Sequence, residues 1–248
     1  MIHKNNITIL DTETAGKFGA SLIYDIGWVV LDKELNISTV KEYLVKEVFE
    51  NDLLMNTAYY KGKRPKYIER VAQGEIELLP FRDIINELMS DMKKHRAKVL
   101  SAYNVAFDNR VIRQTMEVVA SDLLPKWDKF NAKLSKLCIW DLATDTLMQN
   151  EDFKEVAYEQ GWISEKGNFS TGAEVAYRYL TKDYSFIEEH TALADVFIEY
   201  EILHHCLTTF KGRVNYGLKG GSWQKVNRKV EKAKNIKRYQ EIAAVVQK

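Results

Sequence analysis

Apolar positions along this chain switch between two spacings. Residues 6–11, NITILD, form a β-branched apolar run that closes on an acid and predict a buried strand. Residues 22–32, LIYDIGWVVLD, predict a second strand. Residues 38–49, STVKEYLVKEVF, predict a third, with imperfect alternation at Val40, Tyr43 and Val45. The short connections after residues 11 and 32 suit hairpin-like neighbours. Residues 53–80 hold two of the three prolines and are expected to be irregular.

Beyond residue 80 the spacing becomes helical. Phe81, Ile84, Ile85, Leu88 and Met92 define a helix over 81–95. KVLSAY (98–103) predicts a fourth strand, 106–120 a helix and LCIWD (137–141) a fifth strand. Residues 142–160 and 171–181 predict helices, and 191–208 an amphipathic helix with His190 at its entrance. Three strands followed by alternating helix and strand argue for an α/β fold, a mixed five-stranded sheet flanked by helices. No internal repeat interrupts the pattern.

Composition narrows the class. With 46% hydrophobic and 29% charged residues, the chain is neither disordered nor fibrous. No stretch reaches the roughly 18 uncharged apolar residues of a membrane helix, and the N-terminus lacks a secretory h-region. Cys138 and Cys206 have no metal-type spacing, and a reducing, cytoplasmic setting is the simpler expectation. The net charge of +1 hides an asymmetry. Residues 211–248 carry eleven Lys and Arg against two Glu, a net of +9, which leaves −8 on residues 1–210. Residues 1–210 are expected to form one domain, and 211–248 a basic tail. In that tail a glycine-rich connector precedes a helix marked by Val226, Val230, Ala233 and Ile236.

Three segments carry candidate chemistry. In LDTET (10–14), Asp11 and Glu13 stand two apart at a strand end and so point to one face. Oxygen ligands of this kind suit Mg²⁺ or Mn²⁺. In AYNVAFDNRVI (102–112), Asp108 lies in the first turn of a helix, where its charge is also favoured by the helix dipole. In HTALADVFIEY (190–200), His190 and Asp195 flank a helix start, and a histidine there can take a proton from water. Each segment alone has an ordinary structural explanation: a solvated strand end, a helix-start charge, a structural histidine.

Together, and in this order, they resemble the DEDDh family of 3′→5′ exonucleases, in the ribonuclease-H-like superfamily. That family's Asp-x-Glu is matched by Asp11 and Glu13, its Asn-x-x-Phe-Asp by Asn104, Phe107 and Asp108, and its His-x-Ala-x-x-Asp by His190, Ala192 and Asp195. DIGWVVLD (25–32) looks like the family's second strand. The sister class has tyrosine four residues before the last Asp, where this chain has Thr191. The resemblance spans roughly residues 6–208. It departs from many relatives at Tyr103-Asn104, in the long stretch 109–189, and in YYKGKRPKY (59–67), which replaces a glycine-containing loop.

The resemblance implies two-metal phosphodiester hydrolysis with two Mg²⁺ or Mn²⁺ ions. Asp11, Glu13 and Asp195 would hold one ion, Asp11 and Asp108 the other, and His190 would be the general base. It implies Thr14, Asn104 and Phe107 as contacts to the terminal nucleotide. YYKGKRPKY mixes aromatic and basic residues, so Tyr59, Tyr60 or Tyr67 could stack on bases, with Lys61, Lys63, Arg64 and Lys66 on phosphates; a solvated loop is the competing reading. The expected partners are 3′ ends of single-stranded DNA or RNA, a polymerase or other replication or repair protein, and a second copy in a homodimer; no membrane is expected. The alternative from another class is a nucleic-acid- or protein-binding module on the same fold. His204, His205 and Cys206 are set aside as a metal site because adjacent helical residues diverge. Asp141 and Asp145 are not required by the motifs, and Asp25 is expected to cap or pair locally.

Overall fold

A computed structural model of the chain describes residues 5–16, 20–209, 214, 216–217, 221 and 223–227. Its strands are β1 (Asn6–Ala15), β2 (Leu22–Leu31), β3 (Ile37–Val45), β4 (Glu77–Leu79), β5 (Ala97–Ala102) and β6 (Ser135–Cys138). They form one mixed sheet in the order β4-β3-β2-β1-β5-β6. β1–β2 and β2–β3 are antiparallel; β3–β4, β1–β5 and β5–β6 are parallel. The main helices are α1 (Arg64–Ala72), α2 (Phe81–Lys94), α3 (Val105–Val119), α4 (Leu124–Asn131), α5 (Glu151–Glu159), α6 (Ala173–Thr181) and α7 (Ala192–Thr209).

The fold class follows the sequence pattern, and several elements differ from it. The sheet has six strands, because the three-residue β4 is too short to carry a period. The third strand stops at Val45 and gives way to a helical turn, Lys46–Phe49. Residues 53–80 are ordered. They contain a turn at Asp52–Met55, then α1 with Pro65 in its first turn, where proline's missing N–H costs nothing. The fifth strand lies earlier than LCIWD, and Ile139–Ala143 is already helical. Residues 142–160 are two helical stretches, the first ending in a π-turn at Thr144–Met148. α7 is not two-faced: Asp195 and Glu199 are buried, and so are Val196, Ile198 and Leu203.

Two units divide the described residues. The first comprises Met1–Cys138, Glu188–Tyr200 and Tyr216–Leu218, and contains the whole sheet. Every residue of β2 is buried, as expected of a strand covered on both faces. The second unit comprises Ile139–Ile187, Glu201–Asn215 and Lys219–Lys248. Within it, Lys225 on the short helix Trp223–Val226 reaches both Asp141 and Asp145 at 2.7 Å. Asn227 accepts the Phe169 N–H at 2.6 Å and donates to the Phe169 carbonyl at 3.1 Å. Val226 is buried; Val230, Ala233 and Ile236 lie outside the described residues. Among the described residues no helix is long and apolar enough to cross a membrane.

One glycine sets how closely α7 meets the sheet. A Cβ on Gly27 of β2 would lie 2.8 Å from the Leu193 nitrogen and 2.9 Å from the Ala192 carbonyl carbon. Backbone cannot yield there as a flexible side chain could. Gly27→Ala is therefore expected to cost about 1–3 kcal/mol of stability, measured as a lowered urea midpoint; an unchanged midpoint would contradict this close approach.

Candidate active site

β1 delivers the first two acids. In the antiparallel register Asp11 faces Gly27 and Glu13 faces Asp25, so all four positions share one side of the sheet. α7 starts on that side, as the Gly27 contact requires. The pairing slips between Glu13 and Thr14, an irregularity that re-aims side chains at a strand's functional end. β5 runs parallel beside β1 and ends at Ala102, which places Asp108, in the first turn of α3, near the same strand end. Thr12 donates its hydroxyl to Asp108 Oδ1 at 2.8 Å. Asp195 lies in the first turn of α7, its N–H bonded to the Thr191 carbonyl at 3.0 Å.

His190 stands just before that helix with a φ of 52°, a left-handed backbone uncommon for a residue with a Cβ. Its ring stacks on Tyr60 at 4.3 Å between centroids and 14° between planes. Its Nδ1 is 3.5 Å from Glu188 Oε2. Lys63 donates to the carbonyls of Glu189 and His190, the latter at 3.2 Å, and its ammonium lies 4.6 Å from the Tyr60 ring centre. Glu13, His190 and Asp195 each present a ligand atom within 4.8 Å of the others. Asp11 interacts electrostatically with Asp108, Asp195 and Glu13. The structure thus brings together all five residues of the three motifs, from segments more than 80 residues apart.

The residues read as substrate contacts are more dispersed. Thr14 and Phe107 are half-buried, and Asn104 is exposed at the start of α3. The Arg110 guanidinium lies 5.3 Å from the Phe107 ring centre. Tyr59 is 87% exposed. Arg64 pairs with Asp52 at 2.6 Å and donates to the Phe49 carbonyl, and Lys66 pairs with Glu189. Tyr67 is a correction: it is buried and donates to Asp25 Oδ2 at 2.6 Å, so it has no face to offer a base. Asp25 is a second one. It does not pair locally but joins Tyr67 to the Ala192 N–H, which it accepts at 2.9 Å, and so ties the start of α7 to β2. Only the tertiary packing reveals that role.

Sequence reading also missed Glu199. It lies four residues after Asp195 on α7, a spacing that puts both on one helical face; it is buried and interacts with Asp108 and Asp195.

Burial among like charges dominates the electrostatics. Burial, then Asp195 and Asp25, push Glu13 up to about 9, with Lys63 opposing. Burial and Glu188 push Asp195 up to about 8, again against Lys63. Asp108 rises to about 7 through burial, although the Thr12 hydroxyl favours its ionised form. Asp11 and Glu199 are raised well above the usual carboxylate range by burial and by Asp108. Asp195 Oδ1 and Glu199 Oε2 are buried with no hydrogen-bond partner among the described residues. Such oxygens are costly unless something satisfies them. An all-oxygen, acid-rich donor set with two orphaned atoms fits hard divalent cations such as Mg²⁺ or Mn²⁺.

A pH dependence follows. These acids hold protons in the folded state that they lose near their ordinary values of 3.8 and 4.5 when unfolded. The metal-free fold therefore binds more protons than the unfolded chain, and its stability falls as pH rises from about 4 through about 9. Thermal melts of chelated protein are expected to show a lower midpoint at pH 8.5 than at pH 6, and Mn²⁺ is expected to restore more at pH 8.5. Equal midpoints without metal would contradict this.

No family model matches the chain, and no curated protein matches it. Solved structures do. Escherichia coli exonuclease I in complex with a dA16 oligonucleotide superposes with a TM-score of 0.52 at 15% identity, over 84% of this chain and 41% of that one. An exonuclease I structure described as suggesting how processivity is achieved gives 0.52 at 16% identity, over 84% and 42%. A complex of exonuclease I with SSB-Ct gives the same TM-score and identity, with the same coverage. This chain spans about two fifths of the length of those neighbours, and at this identity the likeness establishes the fold: the mixed sheet and flanking helices of a ribonuclease-H-like nuclease.

Proposed function

We propose that this chain is a metal-dependent 3′→5′ exonuclease that shortens single-stranded nucleic acid and releases nucleoside 5′-monophosphates. The observation that carries the reading is the convergence of Asp11, Glu13, Asp108 and Asp195 at one strand end with His190 beside them. Asp11, Glu13 and Asp195 would hold one divalent cation, and Asp11 with Asp108 a second. When bound, such ions make water a better nucleophile and stabilise the attacking and leaving oxygens of an in-line displacement.

The side chains do the rest. His190 accepts the proton of the attacking water. Glu188, at its Nδ1, favours the imidazolium that results. Tyr60 and Lys63 hold the ring and the strained backbone of that loop in place. Thr14, Asn104 and Phe107 would line the terminal nucleotide. The exposed Tyr59 ring is the aromatic surface offered to a base, with Arg64 nearby in sequence for phosphate. The oligonucleotide bound to the E. coli neighbour supports a single-stranded substrate.

The test is cleavage of end-labelled single-stranded DNA and RNA with Mn²⁺, with Mg²⁺ and with chelator. Laddering from the 3′ end is expected from the native protein. Losses of about 10²-fold or more are expected for His190→Ala, and for Asp108→Ala. No metal-dependent cleavage of either polymer would overturn the reading and leave a binding module on this fold.

The aromatic-basic segment separates two effects. Tyr59→Ala is expected to raise KM for a single strand by about tenfold, the loss of roughly one stacked base, with kcat little changed. Lys63→Met removes the tether on the His190 carbonyl and is expected to lower kcat with KM little changed. Reversal of this split would show that Lys63 serves the strand rather than the histidine.

A further inference from the structure

Glu199 lies outside the three motifs, yet it is among the most buried charged side chains in the described protein, only 2% exposed. Helical spacing puts it one turn beyond Asp195 on the same face of α7. The backbone N–H of Tyr103, at the end of β5, donates to its carboxylate. Its Oε2 is buried and has no hydrogen-bond partner among the described residues. Its charge acts on Asp11, Asp108 and Asp195 together.

A neutral core glutamic acid would place its O–H against an acceptor, and Oε2 has none. An ionised one needs a cation, and among the described residues no ion pair is made by Glu199. A buried oxygen in that situation, facing three further carboxylates, is suited to a metal ion.

We propose that Glu199 is a further metal ligand, sharing with Asp11 and Asp108 the divalent cation on the α3 side of the site. This rests on the metal-centre reading above and extends its donor set from four carboxylates to five. The added anion strengthens cation binding and lets the site hold its metal before a substrate phosphate contributes oxygens.

The test is calorimetric titration of chelator-stripped full-length protein with Mn²⁺, alongside free-Mn²⁺ electron paramagnetic resonance, for the native chain and Glu199→Gln. Glutamine keeps the shape and an acceptor for the Tyr103 N–H but removes the charge. The metal-free variant is expected to melt no lower than the native protein, because a buried like charge is gone. Its affinity for at least one Mn²⁺ is expected to fall about tenfold or more. Affinity unchanged within about twofold, in a native protein that binds Mn²⁺ and cleaves, overturns the role of Glu199 and leaves the exonuclease reading standing. A native protein that binds no Mn²⁺ and cleaves nothing overturns both. Should Glu199→Gln fail to fold, the titration is read on Glu199→Asp: its shorter reach is expected to weaken Mn²⁺ binding, and undiminished affinity overturns the proposal.

Discussion

Like charges forced together at the end of β1 are the constraint around which the first unit is arranged. Two such charges about 4 Å apart, at an effective dielectric near 20, repel by about 4 kcal/mol. A whole domain is stable by only about 5–15 kcal/mol. Asp11, Glu13, Asp108, Asp195 and Glu199 therefore cannot all ionise in the absence of cations, and their upward shifts are the visible result. What holds them in place is mostly backbone. The β1–β2 register sets Asp11 and Glu13, the parallel β1–β5 pairing sets the start of α3, and Asp25 clasps the start of α7. Proton or metal then decides how much of the repulsion is felt.

The approach to His190 follows the same logic. Its left-handed backbone costs on the order of 1–3 kcal/mol and persists because neighbours over-determine it. Lys63 bridges two successive carbonyls of that loop, and Tyr60 covers one face of the ring. A segment whose composition suggested a grip on nucleic acid thus spends two of its residues holding the histidine, while Tyr59 stays available to a ligand. In the second unit, Lys225 answers Asp141 and Asp145. The described part of the basic segment is thereby used in internal pairing, and the charge asymmetry of the chain is partly compensated within the protein.

Read alone, the sequence settled the class of fold and the membership of the acidic cluster. β2 is legible as a continuous apolar run because it is buried on both faces, and α2 and α3 because their apolar positions repeat at helical spacing. Asp11, Glu13, Asp108, His190 and Asp195 are legible because each stands at a strand end or helix start, where local spacing already dictates direction. β4 was beyond reach because three residues carry no period, and α1 because its start is masked by a glycine, a proline and clustered charge.

Tertiary structure alone decided the roles of Asp25, Gly27, Tyr67 and Glu199. Asp25 becomes a clasp only when Tyr67 and Ala192, 42 and 167 residues away, arrive beside it. Gly27 matters only because α7's backbone passes within a Cβ's reach. Glu199 joins the acids only once α7 is laid against the end of β5. Local periodicity reports which way a side chain points from its own element. What it meets there is fixed by packing between distant segments, and that information is not carried by any short stretch of the chain.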